Sequence, residues 1–221
     1  MSESGLRLYS YWRSSAAFRV RIAINLKGLP HELVPVNLAL GDGEQHSPEF
    51  LLINPQAQVP VLVDGGRLIR QSLAIIEYLD EMYEGPHLLP TTARERARAR
   101  GLAQLIACDI HPLNNSRVLK YLDSEDGMPQ MERQRWIEHW IELGFVAFEN
   151  MLVSSPSTGD FCEGDLPTIA DCCLVPQVFT AQRWGVDLTP YPTIARITAS
   201  CLQIPAFDRA LPENQPDAPK N

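Results

Sequence analysis

Two adjacent hydroxyl side chains, Ser14 and Ser15, lie where the sequence changes from a strand pattern to a helix pattern. The run Leu6–Ser10 alternates like a strand, and the apolar residues of Ala16–Leu26 recur at helical spacing. The start of a helix presents unpaired N–H groups and the positive end of the helix dipole, so it favours an anion. A serine placed there caps the helix or donates to a thiolate or carboxylate, and the residues alone favour the cap.

Length, charge and cysteine content limit the classes of protein to which this chain can belong. Its 221 residues are enough for one large domain or two smaller ones. The net charge of −8 argues against a general nucleic-acid binder, which needs a basic face. No apolar run reaches the roughly 20 residues that cross a bilayer. We expect no secretory signal, because the first residues lack a basic start and an apolar core. The 5 cysteines follow no metal spacing, so we expect a metal-free cytoplasmic protein with no membrane partner.

The first 84 residues are predicted to alternate between strands and helices. The predicted strands are Leu6–Ser10, His31–Val36, Val61–Asp64 and Arg67–Arg70, and the predicted helices are Ala16–Leu26, a short one from Pro48, and one capped by Ser72 that runs to about Tyr83. The first two strands should pair in parallel, and Pro35 should place the second at a sheet edge. Gly65-Gly66 is typical of a tight hairpin. The order β-α-β-α-β-β-α is that of a thioredoxin-like α/β domain.

A proline opens the third predicted strand, at Val59-Pro60. Proline cannot donate a hydrogen bond to a sheet, and a proline at a strand entry is a candidate for a cis peptide bond. We expect such a bond at Pro60, with the backbone N–H and C=O of Val59 left to pair with an extended peptide ligand.

The rest of the chain is predicted to be helical. Residues 85–92 contain glycine and two prolines and are interpreted as a linker, followed by an all-α domain at 93–221. The predicted helices cover 93–110, a stretch ending near Ser124, 131–153, one from Thr168 with a capping box to Asp171, 192–202 and 205–211. The proline-rich tail from Pro212 is expected to be disordered.

Several motifs together resemble the zeta class of glutathione transferases. They are the opening Tyr11-Trp12-Arg13-Ser14-Ser15, the Asn54-Pro55 and Val59-Pro60 segments, Gln71-Ser72 with its helix, Asp109-Ile110-His111-Pro112, Ala170-Asp171-Cys172-Cys173 and Val186-Asp187-Leu188-Thr189. The resemblance covers nearly the whole chain. It implies the glutathione transferase fold, glutathione as cofactor and a homodimer.

The resemblance also implies roles for particular residues. In the first domain, Ser14 and Ser15 would face the glutathione sulfur, Val59 ahead of Pro60 would pair with the cysteinyl backbone, Gln71 and Ser72 would hold the γ-glutamyl carboxylate, and Gln45 would reach the glycyl end. In the second domain, the cleft would be lined by His111, Asn115, Ser116 and Arg117.

The implied reaction is the cis–trans isomerisation of a small diacid. The glutathione thiolate would add to the cis double bond, the new single bond would rotate, and loss of the thiolate would give the trans product. Negative charge on the substrate calls for cations. Arg13 directly precedes the two serines, and Arg183 is placed at the site by resemblance. His111 either lines the site or caps a helix, whereas Arg19 and Arg21 are expected to pair with acids or solvent.

One residue departs from the zeta-class pattern, which usually has cysteine where this chain has Ala16. We expect activity to survive, because the chemistry needs the sulfur of glutathione and a donor to it.

The implied substrate is maleylacetoacetate, from tyrosine and phenylalanine breakdown. Alternatives are maleylpyruvate, transferase or dehalogenase activity on α-halo acids, and a non-enzymatic binding module. Maleylpyruvate isomerases tend to have arginine directly after the Asn-Asn pair, and here Ser116 intervenes before Arg117.

Overall fold

The computed structural model describes residues 5–219, which form two units. The first unit comprises residues 5–88 and 203–219, and the second is Leu89–Leu202. The expected division into 1–84, a linker at 85–92 and a helical domain from 93 onwards therefore differs from the structure at both ends. The second unit begins inside the expected linker, and the last described residues belong with the first unit.

The first unit is built on a four-stranded mixed sheet. In chain order it contains β1 (Leu6–Ser10), α1 (Ser15–Leu26), β2 (His31–Pro35), α2 (Pro48–Ile53), β3 (Val61–Asp64), β4 (Arg67–Arg70) and α3 (Ser72–Met82). The strand order is β2-β1-β3-β4, with β1 parallel to β2 and antiparallel to β3. This confirms the predicted thioredoxin-like order and the edge position of the strand that contains Pro35.

Local sequence explains why these elements form. Gly65 and Gly66 have φ values of 53° and 83°, which allow the tight turn that joins β3 to β4 antiparallel. Helix α1 is buried on almost every side and packs against α3. Side chains such as Leu8 and Ile22 are 0% exposed and form part of the core of this unit.

The start of α3 differs from the prediction. Ser72 was expected to cap this helix, but it is the first helical residue, and Gln71 occupies the cap position. Gln71 has φ 73° and ψ 121°, and its side chain makes no capping hydrogen bond. The cap preference of serine is a local tendency, and here the left-handed backbone of Gln71 moves the helix start one residue back.

The second unit is helical. It contains α4 (Ala93–Gln104), a π-helical stretch (Leu105–Ile110), a 3₁₀ turn (His111–Asn114), α5 (Ser116–Ser124), α6 (Gln130–Val153), α7 (Ile169–Arg183) and α8 (Pro192–Leu202). The helix predicted over 93–110 therefore changes its winding at Leu105. Phe145 and Phe148 of α6 are 0% exposed and belong to the core of this unit. Trp136 and Trp140 on the same helix are only half-buried.

The C-terminal residues are ordered against the first unit, contrary to the expected disordered tail. Helix α9 (Pro205–Asp208) is followed by a 3₁₀ turn at Pro212–Asn214. The buried Gln215 side chain donates to the carbonyls of Arg209 and Leu211 at 2.9 and 2.8 Å. These bonds hold the short helical turns together. Residues 220 and 221 lie outside the described part. None of the helices within residues 5–219 is long and apolar enough to span a bilayer.

Candidate functional site

Ser14 and Ser15 stand at the start of α1, as the sequence predicts. The Ser14 side-chain oxygen accepts a hydrogen bond from the backbone N–H of Ala17 at 3.2 Å, which makes Ser14 the N-cap. A hydroxyl has one donor and two acceptor positions. Capping uses an acceptor position, so the Ser14 proton remains able to bind an anion. Ser15 is the first residue of the helix, and both serines are half-buried. The capping and donor interpretations of Ser14 are therefore compatible.

Arg13 places a positive charge beside this helix start. Its side chain is exposed, and the guanidinium carbon lies 5.5 Å from the centroid of the Trp12 ring. Stacking on an aromatic face restricts the guanidinium while leaving its charge in solvent. Arg13 can therefore contact an anionic group near Ser14.

The start of α3 is a second helix start in the first unit, and the side chain at its cap position makes no capping hydrogen bond. Because Gln71 makes no capping bond, the first N–H groups of this 11-residue helix are not satisfied by its side chain. The Gln71 amide instead donates to Gln56 Oε1 at 3.0 Å. Ser72 is buried, and its hydroxyl accepts from Arg19 Nη1 at 3.2 Å. That bond links α1 to the first residue of α3.

Val59, Pro60 and Gln45 are buried in the first unit. The Val59–Pro60 peptide bond is cis, as predicted, and β3 follows it directly. Gln45 lies in a 3₁₀ turn, Glu44–His46, and is 8% exposed. No group within residues 5–219 donates a hydrogen bond to its buried Oε1. A Cβ at Gly43 would meet the Gln45 amide, so a larger residue at position 43 would displace this side chain.

The structure brings His111 and Asn115 together in the second unit. Asn115 Nδ2 and His111 Nε2 are 3.2 Å apart. Asn115 also caps α5, since its side-chain oxygen accepts from the N–H of Arg117 at 3.1 Å. Ser116 and Arg117 begin the helix with exposed side chains. The four predicted residues of this segment thus lie around one helix start.

Arg183 lies on a different element of the second unit. It is the last residue of α7, its side chain is exposed, and its guanidinium carbon lies 5.4 Å from the centroid of the Trp184 ring. Like Arg13 on Trp12, it combines a cation with the neighbouring indole. Within residues 5–219, no three His, Cys, Asp or Glu residues are grouped to hold a metal ion.

The buried arginines of α1 are what sequence reasoning missed. Arg19 and Arg21 were expected to pair with acids or solvent, but both are 2% exposed. Arg19 donates to Ser72, and Arg21 donates chiefly to backbone carbonyls. A signal was present in the sequence, because both arginines interrupt an otherwise apolar run at residues 16–24. A charge in such a run must be buried with partners or reach solvent by its stem.

The thioredoxin-like unit followed by a helical unit is the fold of the glutathione transferases. The family profile for the glutathione S-transferase N-terminal domain matches residues 8–87. This range contains every predicted site residue of the first unit.

Relatives that match almost the entire chain narrow the class. A protein of Vibrio cholerae called a probable maleylacetoacetate isomerase is 49% identical over 96% of this chain and 98% of its own length. A holo structure of maleylpyruvate isomerase, a bacterial glutathione transferase of the zeta class, is 47% identical with a TM-score of 0.93, covering 96% of this chain and 100% of its own. Maleylacetoacetate isomerase from Methylobacterium extorquens AM1, crystallised with malonate and glutathione, is 45% identical with the same TM-score of 0.93, over 97% and 100%. The chain belongs to the zeta-class glutathione transferase family, which includes both isomerases.

Proposed function

We propose that this chain is a glutathione-dependent cis–trans isomerase that converts maleylacetoacetate to fumarylacetoacetate. The observation that carries the proposal is the start of α1, where Ser14 caps the helix and keeps a hydroxyl proton for another acceptor. A thiolate is such an acceptor. The similarity to isomerases of this kind over nearly the full chain supports the same reaction class.

Two features of the first unit suit glutathione, a tripeptide with a carboxylate at each end. The uncapped start of α3 suits the γ-glutamyl carboxylate, beside Gln71 and Ser72. The buried Oε1 of Gln45 suits a donor such as the glycyl N–H, because a buried acceptor without a partner is costly. Val59, ahead of Pro60, is the proposed backbone partner of the cysteinyl residue. The residues present therefore fit the cofactor.

When bound, glutathione supplies a thiolate that adds reversibly to the cis double bond, so that the bond can rotate before the trans diacid leaves. The task of this chain is to keep the sulfur ionised. A free thiol, with a pKa near 8.5, is only a few per cent ionised at pH 7. Lowering that pKa by about two requires about 2.7 kcal/mol. A hydrogen bond from Ser14, assisted by Ser15 and by the positive end of α1, is of this order.

Cations and polar groups are proposed to bind the substrate. Arg13 and Arg183 would contact the carboxylates of the diacid and the negative charge that develops on its carbonyl oxygen. The second unit would add the polar residues around the start of α5, which are His111, Asn115, Ser116 and Arg117. Ala16, where the class usually has cysteine, lacks a nucleophile, so the only thiol that this proposal needs is that of glutathione.

Maleylpyruvate isomerisation is the second candidate. It is favoured by the 47% identity to a zeta-class maleylpyruvate isomerase, close to the 49% found with the maleylacetoacetate enzyme. The same thiolate chemistry would act on a shorter diacid. The order Ser116-Arg117 after the Asn-Asn pair favours maleylacetoacetate mildly.

An absorbance assay with maleylacetoacetate and with maleylpyruvate, each with and without glutathione, tests the proposal. We expect turnover that requires glutathione and a higher kcat/KM for maleylacetoacetate. Turnover that continues unchanged without glutathione would exclude the mechanism. A higher kcat/KM for maleylpyruvate would favour the second candidate. Absence of turnover with retention on immobilised glutathione would indicate a binding module.

The finer setting of this function is also proposed. We place the enzyme in the cytoplasm, in tyrosine and phenylalanine catabolism, as a homodimer. Light scattering at working concentration should give twice the mass of one chain, and a monomer would contradict the proposed assembly.

A further inference from the structure

Arg21 holds the backbone that leads into Ser14. Its guanidinium is buried and donates to the carbonyl oxygens of Tyr11 at 3.3 Å and Trp12 at 3.0 Å, and to Ser10 Oγ at 3.2 Å. The Tyr11 carbonyl also accepts from the backbone N–H of Ser14 at 3.0 Å. One carbonyl oxygen therefore joins Arg21 to the residue that caps α1.

The same guanidinium holds the C-terminal segment, defined here as residues 203–219. Nε and Nη2 of Arg21 both donate to the carbonyl of Ala210, at 3.2 and 3.1 Å. Asn25, one helical turn further along α1, donates to the carbonyl of Ala206 at 3.0 Å. Residues that are 189 and 181 positions apart in sequence are thus joined around one helix.

Asp217 completes the contact between this segment and the turn before Ser14. Its Oδ2 accepts from the N–H of Trp12 at 2.8 Å, so Trp12 is held at its N–H by Asp217 and at its carbonyl by Arg21. The other carboxylate oxygen of Asp217, Oδ1, is buried, and no donor within residues 5–219 makes a hydrogen bond to it. Burial lowers the pKa of Arg21 to about 9, and the Asp217 charge opposes that shift. The arginine is therefore still charged at neutral pH.

We propose that Asp217 is a positioning residue. Together, Asp217 and Arg21 join the C-terminal segment to the turn before α1 and hold that turn in place. The fixed turn orients the Ser14 hydroxyl towards the sulfur of glutathione. The inference rests on the proposed function. It assigns a role in the reaction to a residue that is distant from Ser14 in sequence and whose carboxylate accepts a hydrogen bond from the backbone N–H of Trp12.

The charge of Asp217 and its hydrogen bond to Trp12 would shift the pKa of the bound thiol in opposite directions. The two contributions can therefore be separated by experiment. If Asp217 acts only through its charge, its removal lowers the pKa of the thiol, because a nearby negative charge disfavours a thiolate. If it acts through the bond to Trp12, loss of the bond lets Ser14 shift and raises that pKa. Asp217→Asn removes the charge but keeps an acceptor, whereas Asp217→Ala removes both. Asp217→Glu keeps the charge but displaces the acceptor.

The test is the ultraviolet absorbance of the thiolate in the complex with glutathione, titrated with pH, together with amide hydrogen exchange of Trp12 in the free protein. In Asp217→Ala we expect the pKa of the bound thiol to rise by about 0.5 to 1, with kcat at neutral pH falling several-fold. Exchange at Trp12 should accelerate. Asp217→Asn should keep the protection of Trp12 and leave the thiol pKa at or below that of the wild type.

Glu213→Ala is the matched control, because Glu213 is exposed in the same segment, and it should change neither quantity. If Asp217→Ala does not fold, the Asp217→Glu variant tests the positioning role instead, and we expect the pKa of its bound thiol to be raised. A thiol pKa at or below the wild-type value in both Ala and Glu variants overturns the positioning role, and so does a raised value in Asp217→Asn. A wild-type complex with no thiolate band overturns the proposed function and this inference together, whereas a normal wild-type band with unaffected variants overturns the inference alone.

Discussion

Helix α7 of the second unit and helix α1 of the first unit both begin with a capping hydroxyl. They differ in how many hydrogen bonds side chains make within each helix start. At α7, the Thr168 hydroxyl accepts from the N–H of Ala170 at 3.3 Å and donates to Asp171 Oδ2 at 3.0 Å. Asp171 also accepts from the N–H groups of Thr168 at 2.7 Å and of Cys162 at 2.9 Å. At α1, Ser14 accepts from Ala17, and no acidic residue occupies the first turn.

The two helix starts also differ in burial. Thr168 and Asp171 are 4% and 0% exposed, whereas Ser14 is half-buried. Burial raises the pKa of Asp171, and its hydrogen bonds oppose that shift. A carboxylate at N3 would already occupy the position where an anion binds a helix start. The absence of an acid in the first turn of α1 leaves that position for a ligand, so the same local motif serves stability in one unit and, in our proposal, chemistry in the other.

The largest expected effect on stability comes from breaking the capping box that Thr168 and Asp171 form at the start of α7. Asp171→Ala leaves the N–H groups of Thr168 and Cys162 buried without their acceptor, which should lower the free energy of unfolding by about 3 to 5 kcal/mol. Circular dichroism in a urea titration measures it. The matched control is Glu95→Ala, since Glu95 accepts a hydrogen bond from the exposed Thr92 hydroxyl at the start of α4. That change should cost below about 1 kcal/mol. Equal losses would show that closure at α7 adds nothing.

Ser14→Ala should separate the two roles of the α1 cap. Losing the cap should cost about 1 kcal/mol of stability. Losing the proposed donor should lower kcat about tenfold to a hundredfold, at or below the roughly hundredfold to thousandfold that one oxyanion-hole donor contributes. The pKa that governs kcat should move upward, because the thiolate loses its hydrogen bond. Urea titration and a pH–rate profile measure the two effects.

Thr92→Ala is the control for Ser14→Ala. Thr92 caps α4 by accepting from the N–H of Glu95, so its loss should cost a similar amount of stability. It should leave kcat unchanged. A loss of kcat well under tenfold in Ser14→Ala, or an equal loss in Thr92→Ala, would mean that the Ser14 hydroxyl does not tune the sulfur.

Local patterns in the sequence predicted most of what local forces decide. The alternation of strand and helix, the edge strand with Pro35, the cap at Ser14 and the box from Thr168 to Asp171 all depend on residues within a few positions of each other. They agree with the structure. The zeta-class pattern supplied candidates in the second unit, such as Arg183, that spacing alone would not have identified.

Three features of the structure were not predicted from the sequence, and for the C-terminal tail the reason is a tertiary contact. The tail from Pro212 has the composition of a disordered segment, yet Asp217 bonds Trp12 across 205 positions. Nothing local to the tail indicates that partner. The winding change at Leu105 likewise lies within an uninterrupted helical pattern. At α3, the preference of serine for cap positions misled the prediction, because the left-handed backbone of Gln71 is not a property of its residue type.

The smallest expected effect concerns the uncapped start of α3, where backbone strain and ligand binding should move in opposite directions. Gln71→Gly relieves a non-glycine residue at φ 73°, which should raise stability by about 0.5 to 1 kcal/mol. It also removes the proposed donor to the γ-glutamyl carboxylate, so KM for glutathione should rise about tenfold while kcat changes little. Ala57→Gly is the matched control, at a second left-handed non-glycine position within residues 5–219, with φ 53°. It should be similarly stabilising without raising KM. If both substitutions raise KM alike, backbone freedom near the site, and not the Gln71 amide, governs binding, and α3 is no more open to a ligand than α7.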